Sequence, residues 1–319
     1  MQDKSIKING SIHVFAPGTV ANMGCGFDIM GMTLDGVGDH IEISASEGSG
    51  ISIVNHSKAS LPSDIEKNVM TPGLRAMMTA LGKDYKIEIT VHKKILPGSG
   101  IGSSAASSAA AVYGLNQLLG SPCNEHELIT FAMEGERLVS GGTAHADNVG
   151  PAIAGGIILI RGYNPLDYIK IPVPASLYAA VIHPHITVST LESRAVMPRE
   201  IPVRDAVTQW GNVGGLVAGL LMSDMGLISR SLKDVVAEPC RKQFIPGYDT
   251  LKETIAADGA LASNIAGSGP SVFALCTSKE IAQKVAQTMQ KHFADLNIET
   301  DPYVTKISDR GARVIEPGK

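Results

Sequence analysis

Residues 96–106 read Leu96-Pro97-Gly98-Ser99-Gly100-Ile101-Gly102-Ser103-Ser104-Ala105-Ala106. Glycines at 98, 100 and 102 permit positive φ and let the backbone approach a ligand closely. Behind them, residues 103–119 are dominated by Ala and other small side chains and predict a helix that begins at its serines. In front, residues 85–95 alternate apolar and polar side chains and predict a strand. Strand, glycine loop and helix N-terminus in that order make an anion cradle. The free amide N–H groups and the positive end of the helix dipole point into the loop, and phosphate suits both. The loop is no Walker A site, since no Gly-Lys-Ser/Thr closes it, and it lacks the dinucleotide fingerprint. By itself the pattern also suits a loop that only lets two backbones pack closely.

The rest of the composition narrows the setting. With 319 residues, 44% hydrophobic and 18% charged, the chain can build two ordinary domains or one large one. A net charge of −4 argues against nucleic acid or an anionic membrane as partner, so any basic site is local. Cysteines at 25, 123, 240 and 276 show no Cys-x-x-Cys spacing, the first ten residues are polar, and no run of ~18 apolar residues occurs. The expectation is a soluble cytoplasmic protein with free thiols.

Residues 11–17 predict a first strand closed by Pro17. In the irregular segment after it, Asn22 and Asp28 are either turn formers or holders of a polar substrate. Further strands are expected at 39–44 and 51–54, and a helix over 68–78 with Asn68 as its cap. The helix pattern at 124–138 ends at Gly141-Gly142, and Glu134 and Glu136 fall on different faces of it, so at most one reaches a site. His145, Asp147 and Asn148 then sit between glycines, in a polar surface loop or in one that crosses the phosphate site. A strand-like run follows at 152–160. The domains are placed at 1–165 and 166–319, the second alternating strands at 169–173 and 177–183 with helices at 250–259 and 279–293 and a buried helix at 210–225.

The loop at 96–106 resembles the second motif of the GHMP small-molecule kinases, Pro-x-x-x-Gly-Leu-Gly-Ser-Ser-Ala, with Ile101 in the Leu position and the proline displaced by one. Ala16-Pro17-Gly18-Thr19-Val20-Ala21-Asn22-Met23-Gly24-Cys25-Gly26-Phe27-Asp28 is similar to the first motif as homoserine kinases carry it. Ser263-Asn264-Ile265-Ala266-Gly267-Ser268-Gly269-Pro270-Ser271 and the residues to 275 resemble the third, a second glycine-rich loop. Segments 145–153, 188–198, 238–248 and 311–314 are also similar to homoserine kinases. Departures are Met23 for the usual Leu, Gly150 for Ala, Ala266 for Ser, and an extra residue within 141–144.

That resemblance implies an α+β, two-domain fold, with a ribosomal protein S5 domain 2-like N-terminal half and a ferredoxin-like C-terminal half. It also implies ATP and Mg²⁺, and phosphorylation of the L-homoserine hydroxyl in threonine biosynthesis. Asn68, Leu96, Pro97, Gly98, Ser99, Gly100, Ile101, Gly102, Ser103, Ser104, Ala105 and Ala106 would hold the nucleotide, and Ser104 and Glu136 the metal. Asn22, Asp28, His145, Asn148, Arg194 and Arg241 would hold the substrate. Homoserine is a zwitterion, and a guanidinium offers its carboxylate a two-donor fork that Lys lacks. Asp147, Asn148, Thr190 and Arg194 would serve the reaction, Asp147 as general base or as an orienting group. The rival readings are a GHMP kinase for another small alcohol and a non-catalytic ATP-binding regulator. A homodimer is the expected assembly.

Overall fold

The first strand, β1 (Ser11–Ala21), runs through Pro17 rather than stopping there. Its register with β2 (Met30–Glu47) shifts between Pro17 and Thr19, and the bulge accommodates a residue with no N–H to donate. The glycines at 31, 36 and 38 and the alternation after them belong to that single 18-residue β2. This computed structural model describes residue 8 and residues 10–57, 60–62 and 64–316. Most of the polar first ten residues, 1–7 and 9, therefore lie outside the described residues.

Next come β3 (Gly50–Asn55), α1 (Met70–Leu81), β4 (Tyr85–His92) and α2 (Ser103–Leu118). The cap of α1 is Val69 rather than Asn68; Asn68 Oδ1 still accepts the Met70 N–H at 3.1 Å. α2 is buried nearly all round, and its small residues let it lie on β1 and β2 with α1 and α3 (Glu125–Val139) alongside. α3 opens on a reciprocal capping box between Asn124 and Glu127. The run expected as loop and then strand divides differently, into α4 (Val149–Ala154) and β5 (Ile157–Tyr163), with Gly155 and Gly156 at positive φ between them. β5 hairpins into β6 (Leu166–Ile171).

The second half contributes β7 (Tyr178–Pro184), α5 (Thr190–Ala195), α6 (Val203–Met222), α7 (Met225–Ser231), α8 (Glu238–Arg241), α9 (Tyr248–Ala257), β8 (Ala262–Ile265), β9 (Val272–Cys276), α10 (Lys279–Asp295), β10 (Thr300–Lys306) and β11 (Arg313–Ile315). One sheet has the order β11-β1-β2-β4-β3, with β5 on β2 and β6 on β5; the other is β10-β7-β9-β8. The chain does not part at 165/166, because Leu166 pairs with Tyr163 across the β5–β6 hairpin and β11 returns to pair with β1.

Strand periodicity splits β7 between two cores. Ala180 and Ile182 join Leu251, Ile255, Val285 and Phe293 of α9 and α10, while Ala179 and Val181 face the larger core shared with the first sheet. α6 is not a buried helix. Val203, Val207, Trp210 and Leu221 line an exposed stripe, with Trp210 67% exposed, while Ala206, Leu216 and Leu220 pack inward. The helix is apolar on two faces and only one of them is covered. Among the described residues no helix is long and apolar enough to cross a membrane.

Candidate active site

Two close approaches dictate the glycines of the loop. A Cβ on Gly102, the residue preceding α2, would lie 2.1 Å from the Thr19 hydroxyl, and one on Gly100 would lie 2.6 Å from the Gly269 carbonyl. Both residues have positive φ. Gly269 belongs to the β8–β9 connection, the second glycine-rich loop, which thus packs directly on the first. There the Ser271 hydroxyl donates to the Ser99 carbonyl at 2.5 Å, and the Gly267 N–H donates to the Ala21 carbonyl at 3.3 Å. Three segments far apart in sequence therefore surround one cavity of about 360 Å³, at whose edge α2 begins.

Pro97, Gly98, Gly100, Gly102, Ser103 and Ser104 line that cavity, as does Asn68. Leu96, Ser99, Ile101, Ala105 and Ala106 do not. Leu96 is surface-exposed and the other four are buried in the packing behind the loop. Sequence reasoning missed Lys93. Its buried ammonium pairs with buried Asp39 of β2 and donates to the Ser103 carbonyl and the Ser107 hydroxyl, each at 2.9 Å. Asp39 also accepts the N–H groups of Lys94 at 2.8 Å and Ile95 at 3.0 Å, which anchors the entry to the loop. Two lysines closing an alternating strand were the only local signal.

Near the end of α3, Glu134 is on the outer face and pairs with Arg137 at 2.9 Å, and Glu136 enters the cavity. Glu136 Oε1 is buried with no hydrogen-bond partner. Burial raises its pKa to about 7 against the opposing influence of the Ser104 hydroxyl and Lys93. Asp147 is raised further, to about 8, by burial and then by the negative charges of Asp28 and Glu136. Its titration is thereby brought close to neutral pH, where the carboxyl can hold a proton as well as orient a neighbour.

The other end of the cavity is charged. Asp28, at φ 60°, accepts from both terminal nitrogens of Arg194, at 3.1 and 3.2 Å. The Arg194 Nε is buried without a partner, as are both ring nitrogens of His145. Burial lowers the His145 pKa and keeps the ring neutral, with Nδ1 3.7 Å from the Asp28 carboxylate. Arg241, nearly fully buried, donates to the Gly267 carbonyl at 2.9 Å and the Ser193 carbonyl at 3.3 Å. Phe27 is a second omission of the sequence reading. Its ring is stacked by the guanidinium of Arg241 at 4.9 Å and approached by that of Arg194 at 6.0 Å.

Two expected ligand-holders spend their amides on the fold. Asn22 donates to the Gly267 carbonyl at 2.8 Å and accepts the Asp28 N–H at 3.0 Å, while Asn148 accepts from the Thr19 hydroxyl at 2.7 Å. Both still line the cavity. Thr190 opens α5 at the cavity wall. That helix is set by a capping box between Ser189 and Glu192 and held to the second glycine loop by the Ser193 hydroxyl, 2.9 Å from the Ser268 carbonyl.

Phosphoryl transfer asks a protein chiefly for positioning and charge compensation. This cavity offers amides, buried carboxylates and guanidinium groups around a space sized for small ligands, and the fold and site together define a small-molecule kinase. Residues 68–156 match the pattern described as GHMP kinases N terminal domain and residues 216–295 that described as GHMP kinases C terminal. The chain belongs to the GHMP kinases, and within them to the homoserine kinase family. It is 48% identical to homoserine kinase from Cytophaga hutchinsonii, whose crystal structure matches with a TM-score of 0.92 over 99% of this chain and 100% of that one. Homoserine kinases of Chlorobium phaeovibrioides and Chlorobium phaeobacteroides are 46% and 44% identical, each aligned over 96% of this chain and 99% of their own.

Proposed function

We propose that the chain transfers the γ-phosphoryl group of ATP to the hydroxyl of L-homoserine, giving O-phospho-L-homoserine and ADP on the way to threonine. One observation carries the substrate assignment: a carboxylate and two guanidinium groups, Asp28, Arg194 and Arg241, share the cavity with the glycine loop. Their charges are the complement of a zwitterionic amino acid. The ammonium replaces Arg194 as partner of Asp28, freeing a guanidinium fork for the carboxylate, with Arg241 adding charge from beneath. His145, neutral and unpaired, supplies a hydrogen bond to the substrate, and Thr190 and Arg194 steady the moving phosphoryl group.

The amides of Gly98, Gly100, Gly102, Ser103 and Ser104 hold the phosphates, with Asn68 beside the adenine. The buried unpaired oxygen of Glu136, next to the Ser104 hydroxyl, is the donor set a hard divalent cation prefers, so these residues suit Mg²⁺. When bound, Mg²⁺ supplies charge neutralisation of the β- and γ-phosphates. The homoserine oxygen forms the new O–P bond as the bond to the β,γ-bridging oxygen breaks, and ADP leaves. The hydroxyl proton passes to a phosphoryl oxygen, with Asp147 orienting the hydroxyl beside it. Asp147→Asn is accordingly expected to keep kcat within ~10² of the parent, the least that loss of a general base usually costs; a larger loss restores Asp147 as the base.

ADP release with L-homoserine, against a panel of other small alcohols, tests the reading. Turnover of another alcohol alone overturns the substrate, and ATP binding without any turnover makes the protein a regulator. The free thiols of Cys25, Cys123, Cys240 and Cys276 support a cytoplasmic setting. We also assign a homodimer, supported by the exposed stripe of Val203, Val207, Trp210 and Leu221, which two copies of α6 would cover in an isologous contact. Light scattering should give twice the chain mass, and Trp210→Glu should halve it. A monomeric parent protein refutes the assignment.

A further inference from the structure

The C-terminal sheet carries a second cluster of ligating side chains, none of which lines the active-site cavity. His183 and His185 stand two residues apart where β7 ends, so the strand period of two sets both on one face. Asp301 of β10 is the direct register partner of His183, and the ladder continues past β7 because the His185 N–H donates to the Glu299 carbonyl at 2.8 Å. Both rings converge on one atom. His183 Nδ1 lies 3.4 Å and His185 Nε2 2.9 Å from Asp301 Oδ2, and the three ligand atoms are all within 4.8 Å of one another.

We propose that His183, His185 and Asp301 form a binding site for a divalent transition ion of the Zn²⁺ type. Two imidazoles and a carboxylate are the donors such ions select, whereas Mg²⁺ and Ca²⁺ take oxygen ligands. Metal–ligand bonds of about 2.0–2.1 Å place ligand atoms roughly 3.3 Å apart around a tetrahedral ion. The separations from Asp301 Oδ2, 2.9 and 3.4 Å, bracket that spacing. The backbone ladder sets the register that brings the three residues to one place.

Two further features fit an ion. Glu299 Oε2 lies 3.6 Å from the other ring nitrogen of His185, Nδ1, beyond hydrogen-bond distance, and adds negative charge beside a cation. His183 is buried, but His185 and Asp301 are about a third exposed or more, which leaves an entry path and room for water as remaining ligand. The ion would tie central strand β7 to edge strand β10 at the root of the segment leading to Thr190 and α5.

The test is titration of chelator-treated full-length protein with Co²⁺, followed by its visible absorption, and then displacement by Zn²⁺. One Co²⁺ per chain with nitrogen and oxygen ligands is expected, Zn²⁺ should displace it and raise the melting temperature, and Glu136→Gln should bind Co²⁺ as the parent does. His185→Gln should weaken binding by at least ~100-fold. Asp301→Asn, at a half-exposed position, repeats the ligand test should His185→Gln fail to fold. Absence of Co²⁺ uptake, or uptake unchanged in the ligand variants, overturns the proposal and leaves the cluster as a carboxylate hydrogen-bonded by two histidines.

Discussion

Arg194→Ala is expected to lower kcat/KM for L-homoserine by about 10²- to 10³-fold with little change in the KM for ATP. In the proposed site the guanidinium meets the substrate carboxylate, and deleting one partner of a desolvated charge pair typically costs a factor of that size. It also leaves Asp28 without its bidentate partner at 3.1 and 3.2 Å, so the ammonium subsite is disturbed as well. Arg194→Lys should recover little, because an ammonium group cannot reproduce the planar fork. Steady-state kinetics with homoserine as the varied substrate decide this. A loss below tenfold, or full rescue by Lys, removes Arg194 from the substrate site.

Glu136→Gln should reduce kcat by 10² or more, on the order of the loss of one charge-stabilising group, and yet make the protein more heat-stable at pH 8. The sign follows from its pKa. In the folded chain Glu136 titrates near 7, above its ordinary 4.5, and Asp147 near 8, above 3.8. The native state therefore binds more protons than the unfolded chain between pH 4 and 8, and stability falls as pH rises through that window. Removing the Glu136 charge removes its share of the decline. The melting temperature of the variant should fall less than that of the parent between pH 5 and 8, and parallel declines would refute the argument. With Mg²⁺ held by the ionised Glu136 carboxylate as proposed, the Mg²⁺ concentration for half-maximal rate in the parent should drop as pH rises through 7.

These predictions differ in how far they were legible in the chain. The division of labour between Glu134 and Glu136 follows from helical periodicity. The reciprocal cap at Asn124 and Glu127 is a spacing rule realised within four residues. The stripe on α6 shows the limit of such rules: a helix apolar on two faces does not say which one a neighbour will cover. The proline in β1 misled for a related reason, since only the partner strand reveals a bulge. Asn22 and Asn148 have side chains fit for a ligand, and it took the folded chain to show them tied to Gly267 and Thr19.

Around residues 96–106 the strand, the glycine loop and the helix N-terminus are all specified by neighbours a few residues apart, because propensity, φ freedom and amide geometry act over that range. Motif order was enough to indicate a kinase of small molecules. The charged pocket beside the loop was assembled by folding. Asp28 and Arg194 are 166 residues apart, Asn22 and Gly267 245, and Lys93 and Asp39 54. No local preference pairs such residues. Packing of the two sheets brings them together, and burial of Glu136 and Asp147 then raises the pKa of both.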